Sequence, residues 1–114
     1  MEEINIIYKN KIGMAFYWTE GSEKNKVQVI FKEIGFLLTL PELHLFLSQC
    51  EQSINSLNCA GCNNDNCKSY LLKTPSSKID LAVSKNELVK IQDLLCQTLE
   101  NIAKRGLLVQ FSLN

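Results

Sequence analysis

The sequence is thinly punctuated, with two prolines, five glycines, one tryptophan and one histidine in 114 residues. So few breakers exclude a collagen-like or low-complexity chain and leave room for regular structure. An excess of charge of one sign is also missing. Twelve basic and twelve acidic side chains cancel, with five basic and seven acidic in residues 1–57 against seven and five in residues 58–114. A nucleic-acid binder gathers a basic surplus on one face, so neither nucleic acid nor an anionic membrane is expected as a partner. No stretch approaches the ~18 uninterrupted apolar residues of a spanning helix. The most apolar one, Ile34 to Leu47, is broken by Pro41, Glu42 and His44. The start, Met1-Glu2-Glu3-Ile4-Asn5, lacks the basic opening and apolar run of a secretory signal. Cytoplasmic localisation is the expectation, and an odd count of five cysteines fits a compartment that keeps thiols reduced.

Catalytic signatures are missing too. There is no glycine-rich phosphate loop, no nucleophile elbow and no helix carrying two histidines. Any Ser–His or Cys–His pair would have to use His44, which sits between Leu43 and Leu45 at the rim of an apolar stripe and reads first as a boundary residue. Asp80 lies alone in a strand-like run without an acid/base partner. The expectation is a small non-catalytic binding or interaction module.

What is present describes a fold. At 46% hydrophobic and 21% charged, the composition suits one folded domain over residues 1–114. Ile4, Ile6 and Tyr8 alternate with Asn5 and Ile7, the pattern of a strand covered in part on both faces. Asn10 to Gly13 supplies turn residues, and Met14 to Thr19 has the aromatic content of a second strand. The aromatics Phe16, Tyr17 and Trp18 lack the basic interleaving of a base-stacking platform and are expected in the core and at the sheet edge. Val27, Val29 and Phe31 alternate with polar partners in a third strand, and a turn at Glu33-Ile34-Gly35 leads into a fourth at Phe36-Leu37-Leu38. Thr39-Leu40-Pro41-Glu42 is a capping box with proline in the first turn. Leu40, Leu43, Leu47, Cys50 and Ile54 then form one stripe, predicting a helix over residues 40–55.

The second half repeats this grammar. Tyr70-Leu71-Leu72 and Ile79 to Val83 read as strands around a turn at residues 74–77. Ser84-Lys85-Asn86-Glu87 is another capping box, followed by the stripe Leu88, Ile91, Leu95, Leu99 and Ile102. Lys104-Arg105 suits the negative end of that helix and Gly106 its stop. Leu107, Val109, Phe111 and Leu113 alternate in an expected last strand over residues 107–113, whose exposed edge would suit a homodimer. Offset by 45, the capping boxes coincide, so we read an internal duplication, with repeat one at about 26–55 and repeat two at about 69–104 around a linker at 56–68. The expected fold is α+β, a two-layer domain with a mostly antiparallel sheet of six or seven strands and two helices on one face.

The linker holds Cys59-Ala60-Gly61-Cys62 and, five positions on, Cys67. Two thiolates separated by two residues reach one side of a turn and can share a metal, and zinc asks for four ligands. Candidates for the fourth are His44, Cys96, Cys50 and Asp65, of which Cys50 aligns with Leu95 and reads as a small core hydrophobe. Three readings stand open for this loop: a structural zinc site on Cys59, Cys62 and Cys67, a redox dithiol of Cys59 and Cys62, or a linker whose cysteines have no special task.

The run Val27-Gln28-Val29-Ile30-Phe31 through Leu38-Thr39 with its capped helix resembles a small Bacteroidota domain-of-unknown-function family. So does Leu71-Leu72-Lys73-Thr74-Pro75 with the following strand and Glu87-Leu88 helix, the likeness covering most of residues 12–100. That group looks to carry a Cys-x-x-Cys before the Gln-Val-x-Phe strand, where this chain reads Tyr17-Trp18-Thr19-Glu20-Gly21-Ser22 and has no cysteine. The resemblance implies a duplicated α+β domain and no known activity.

Overall fold

The computed structural model describes residues 4–19, 26–55 and 70–112, with side chains in the last stretch up to Gly106. Four strands form an antiparallel meander: β1 (Ile4–Lys9), β2 (Gly13–Trp18), β3 (Val27–Phe31) and β4 (Ile34–Leu38), adjacent in chain order. Helix α1 (Leu40–Asn55) follows, then the hairpin β5 (Tyr70–Lys73) and β6 (Asp80–Val83), and helix α2 (Lys85–Ser112). The α+β class and the antiparallel pairing are as expected. The single sheet of six or seven strands is not, because β5 and β6 pair only with each other in a separate two-stranded sheet. Alternation in a sequence specifies which face of a strand is buried, not which backbone it pairs with. Tyr70, Leu72, Leu81 and Val83 satisfy their alternation by burial in the core shared with the helices, without joining the meander.

The expected last strand is also corrected. Residues 107–112 continue α2, and Gly106 lies inside that helix instead of ending it. A short apolar run reads equally well at either period, and a helical glycine costs only about 1 kcal/mol relative to alanine. The strand edge expected to carry a homodimer is therefore replaced by helix over residues 107–112, and Leu113 lies outside the described residues.

Both capping boxes close reciprocally. The Thr39 amide donates to Glu42 Oε1 at 2.9 Å and the Glu42 amide to Thr39 Oγ1 at 3.3 Å, while Ser84 and Glu87 repeat the exchange at 3.0 and 3.1 Å. These bonds hold the Glu42 carboxyl below its usual range. The second box does more. Glu87 Oε2 meets Lys32 Nζ at 3.1 Å, and Lys32 also donates to the Ala82 carbonyl at 3.3 Å, tying the β3–β4 turn to the start of α2. That turn is tighter than Glu33-Ile34-Gly35. Phe31 pairs with Ile34, leaving Lys32 and Glu33 as a two-residue loop with φ of 52° and 67°. This is the left-handed geometry that the twist of a hairpin favours, in a place where Asn-Gly is the usual choice.

One face of the meander carries the core. Ala15, Val27, Val29, Phe31 and Leu38 pack with Leu43, Phe46 and Cys50 of α1 and with Leu88, Ile91, Leu94 and Leu95 of α2. The rings of Phe31, Phe36 and Phe46 lie within 5.2 to 6.1 Å of one another. Gly13 sits where β2 passes closest to β3. A Cβ there would collide with the Ile30 carbonyl oxygen and lie 2.7 Å from Phe31 Cβ. Helix α2 also covers the outer edge of β1. Asn101 donates to the Ile7 carbonyl at 3.0 Å and Arg105 to the Ile6 carbonyl at 2.8 Å, beside a register shift between Ile6 and Tyr8. Arg105 thus serves the strand edge, beyond the helix-end role read for it.

Candidate functional site

Among the described residues no helix packs on the other face of the meander, and its composition is the unusual feature of this protein. Successive side chains on a strand point to opposite faces, so the core-facing set defines its complement. Strand register then arranges the outer face in rows. One row is Lys9, Met14, Ile30 and Gly35; the next is Ile6, Phe16, Gln28 and Leu37; the third begins with Ile4 and Trp18. Of these ten residues only Lys9 is charged, at a corner, and Lys26, across from Trp18 and next to inward Val27, continues the third row at the margin.

The exposed members are large. Ile4 is 39% exposed, Ile6 47%, Ile30 37% and Leu37 36%, whereas the inward residues Ala15, Val27, Val29 and Phe31 are at most 1% exposed. Phe16, at the centre, is 3% exposed yet is the one buried apolar side chain that lies outside the core cluster among the described residues. Its ring meets Trp18 edge-on at a centroid distance of 5.1 Å. Trp18 Nε1 donates to Gln28 Oε1 at 3.2 Å, so the polar atoms of this face are turned onto each other. The Gln28 amide in turn lies over Gly35, where a Cβ would come within 3.1 Å of its Nε2. A face with its few polar groups paired internally presents apolar surface to whatever meets it, and aromatic side chains dominate such contacts.

The sequence-predicted ligands stand as follows. Cys59, Cys62 and Cys67, with Asp65, lie outside the described residues. His44 is exposed on the first turns of α1. Cys96 is partly exposed on α2, with Sγ 3.9 Å from Glu100 Oε1, and burial together with Glu100, Glu51 and Asp93 pushes its thiol above the usual range. Cys50 is fully buried, as its alignment with Leu95 indicated, with Sγ 3.5 Å from the Leu88 carbonyl, and burial followed by Glu51 pushes its thiol up to about 12. Among the described residues no three His, Cys, Asp or Glu side chains converge as a metal site.

Two open hollows mark the helices. One of about 380 Å³ is lined by Gln49, Gln52, Ser53, Leu71 and Lys73, and Gln49 Oε1 is buried there without a hydrogen-bond partner among the described residues. The other, of about 400 Å³, is lined by Val89, Gln92, Asp93, Cys96 and Gln97. Asp93 is engaged from the far side, accepting from Tyr8 Oη at 2.8 Å and Asn10 Nδ2 at 3.0 Å, a contact that raises the Tyr8 hydroxyl above its usual range.

The outer face is what sequence reasoning missed, since Phe16 and Trp18 were expected as core and sheet-edge aromatics. A signal was available: Ile4, Ile6 and Ile7 together, and Met14, Phe16 and Trp18 against Ala15 and Tyr17, make β1 and β2 apolar on both faces. No helix among the described residues is long and apolar enough to cross a membrane. No family model, no curated protein and no solved structure matches this chain.

Proposed function

We propose that this protein is a small cytoplasmic, non-catalytic interaction module that docks a partner on the outer face of its four-stranded sheet. The observation that carries the reading is the apolar face of Ile4, Ile6, Met14, Phe16, Trp18, Ile30 and Leu37, with Lys9 and Lys26 at its margin and both helices packed on the core side. Contiguous apolar patches of a few hundred Å² on a water-facing surface mark interaction sites. The free thiols of Cys50 and Cys96 fit a reducing compartment. We also infer that the two halves arose by duplication. What supports this is the order strand, strand, capped helix, which occurs as β3-β4-α1 and again as β5-β6-α2.

A photo-crosslinking amino acid at Leu37 tests the docking face in cells, with the same group at exposed Lys85 as control. A discrete adduct from Leu37 alone is expected. Equal labelling at both positions, or none at either, overturns the assignment.

A further inference from the structure

Resting on that docking face, we propose that its occupant is a second copy of this chain, packed sheet against sheet about a two-fold axis that runs along the strands between β2 and β3.

Relief comes first. The β1–β2 half of the face carries Ile4, Ile6, Met14, Phe16 and Trp18, while the β3–β4 half carries Ile30 and Leu37 with Gln28 laid over Gly35. By side-chain size the first half is the bulkier and the second, with Gly35, the slighter. A two-fold axis along the strands sets β1 of one copy over β4 of its partner, so each bulky half meets a slight one. An axis across the strands would set bulky on bulky. Antiparallel sheets pack face to face in this aligned manner, ~10 Å apart and rotated by about 30°. The contact is isologous and closes on itself, which favours a dimer over an open chain of copies.

Charge gives the second argument. The chosen axis keeps each row in place, so Lys9 of one copy arrives over the Gly35 end of the partner's β4. That end leads into the β3–β4 turn, where Glu33 is exposed. Lys32 beside it is already engaged by Glu87 on the helix side. Lys9 of each copy therefore meets an anion at each of two symmetric corners.

Area sets the strength. Four strands ~4.8 Å apart and six residues rising ~3.3 Å each make a footprint of roughly 380 Å². Stable complexes bury about 800 Å² per partner, so this face suits a reversible dimer with a dissociation constant in the micromolar range. The competing edge geometry is blocked on β1, where Asn101 and Arg105 already take the outward carbonyls of Ile7 and Ile6.

Sedimentation equilibrium of the full chain from about 1 to 500 µM reads the mass directly. The expected result is a rise from one chain to two, with the emission of Trp18, the only tryptophan, moving to shorter wavelength in step. Ile6→Lys should hold the protein monomeric throughout. Lys9→Glu and Glu33→Lys should each weaken the dimer by about tenfold, and the double exchange should restore it, because rim pairs contribute a few tenths to 1 kcal/mol each. These exposed positions leave the core untouched, and a circular-dichroism melt checks that each variant is folded. A monomer at every concentration, or a dimer indifferent to Ile6→Lys and to the charge exchange, overturns the proposal. If the chain stays monomeric while Leu37 still gives an adduct with a different protein, the docking face stands and only the second copy fails. If no adduct forms either, both readings fall.

Discussion

Both faces of the meander carry large apolar side chains, and the two have opposite fates. The inner face places Val29 and Phe31 at 0 and 1% exposure under α1 and α2, while the outer face leaves Ile6 at 47% and Ile30 at 37%. Adjacent residues of one strand thus differ in what they contribute: Phe31 holds the fold together, and Ile30, one position earlier, has its surplus of apolar surface left to offer. Apolar area stabilises only when it leaves water. The comparison separates the residues that make this protein fold from those that make it bind.

The largest expected effect breaks the inner face. Phe31→Ala removes a ring enclosed by Phe36 and Phe46 and should lower stability by about 3–5 kcal/mol in chemical denaturation. The pH dependence of the core against that face comes next. The Cys50 thiol, ordinarily at 9.0 and pushed up to about 12 by burial, keeps its proton in the folded state where the unfolded chain has released it. Stability should therefore fall as pH rises from about 9 toward 12, by up to ~1.4 kcal/mol per pH unit from this group, and Cys50→Ala should flatten the slope. Raised Tyr8, Tyr17 and Cys96 groups act in the same direction.

A smaller effect of opposite sign concerns the turn between the faces. Glu33 holds φ at 67°, where glycine is at ease, so Glu33→Gly should raise the melting temperature, with a gain of about 1 kcal/mol. In the dimer assay the same change should weaken association, because it removes the anion opposite Lys9. The smallest effect sharpens the contrast. Leu37→Ser on the outer face should change unfolding free energy by less than about 1 kcal/mol at dilute concentration, since 36% of that side chain already meets water. A loss comparable to that of Phe31→Ala would mean that the outer face is part of the core after all.

Much of the local structure was legible because its causes are local. Thr39 with Glu42 and Ser84 with Glu87 announce their helices through bonds between residues three apart, and both boxes close as read. The period of Val27, Val29 and Phe31 named the buried side of β3, and the stripes of α1 and α2 named Leu43, Cys50, Leu88, Ile91 and Leu95. Legibility stopped where a choice depends on distant parts of the chain. Leu107, Val109 and Phe111 fit either period, and continuation of α2 through Ser112 settled it. Lys104-Arg105 looked like a helix terminus, yet Arg105 reaches the carbonyl of Ile6, 99 positions away. The candidate metal loop, Cys59, Cys62 and Cys67, lies outside the described residues, and the docking face was read only in part, as strands covered on two sides.

By itself the sequence determined the α+β class, the antiparallel hairpins, two capped helices and the burial of Cys50, because propensity, capping and alternation act over a few residues. Tertiary structure alone decided that β5 and β6 stand apart from the meander, that both helices cover the same face, and that Phe16 and Trp18 belong to the uncovered one. Alternation marks two sides of a strand as apolar, but only the placement of the helices determines which side is left facing water.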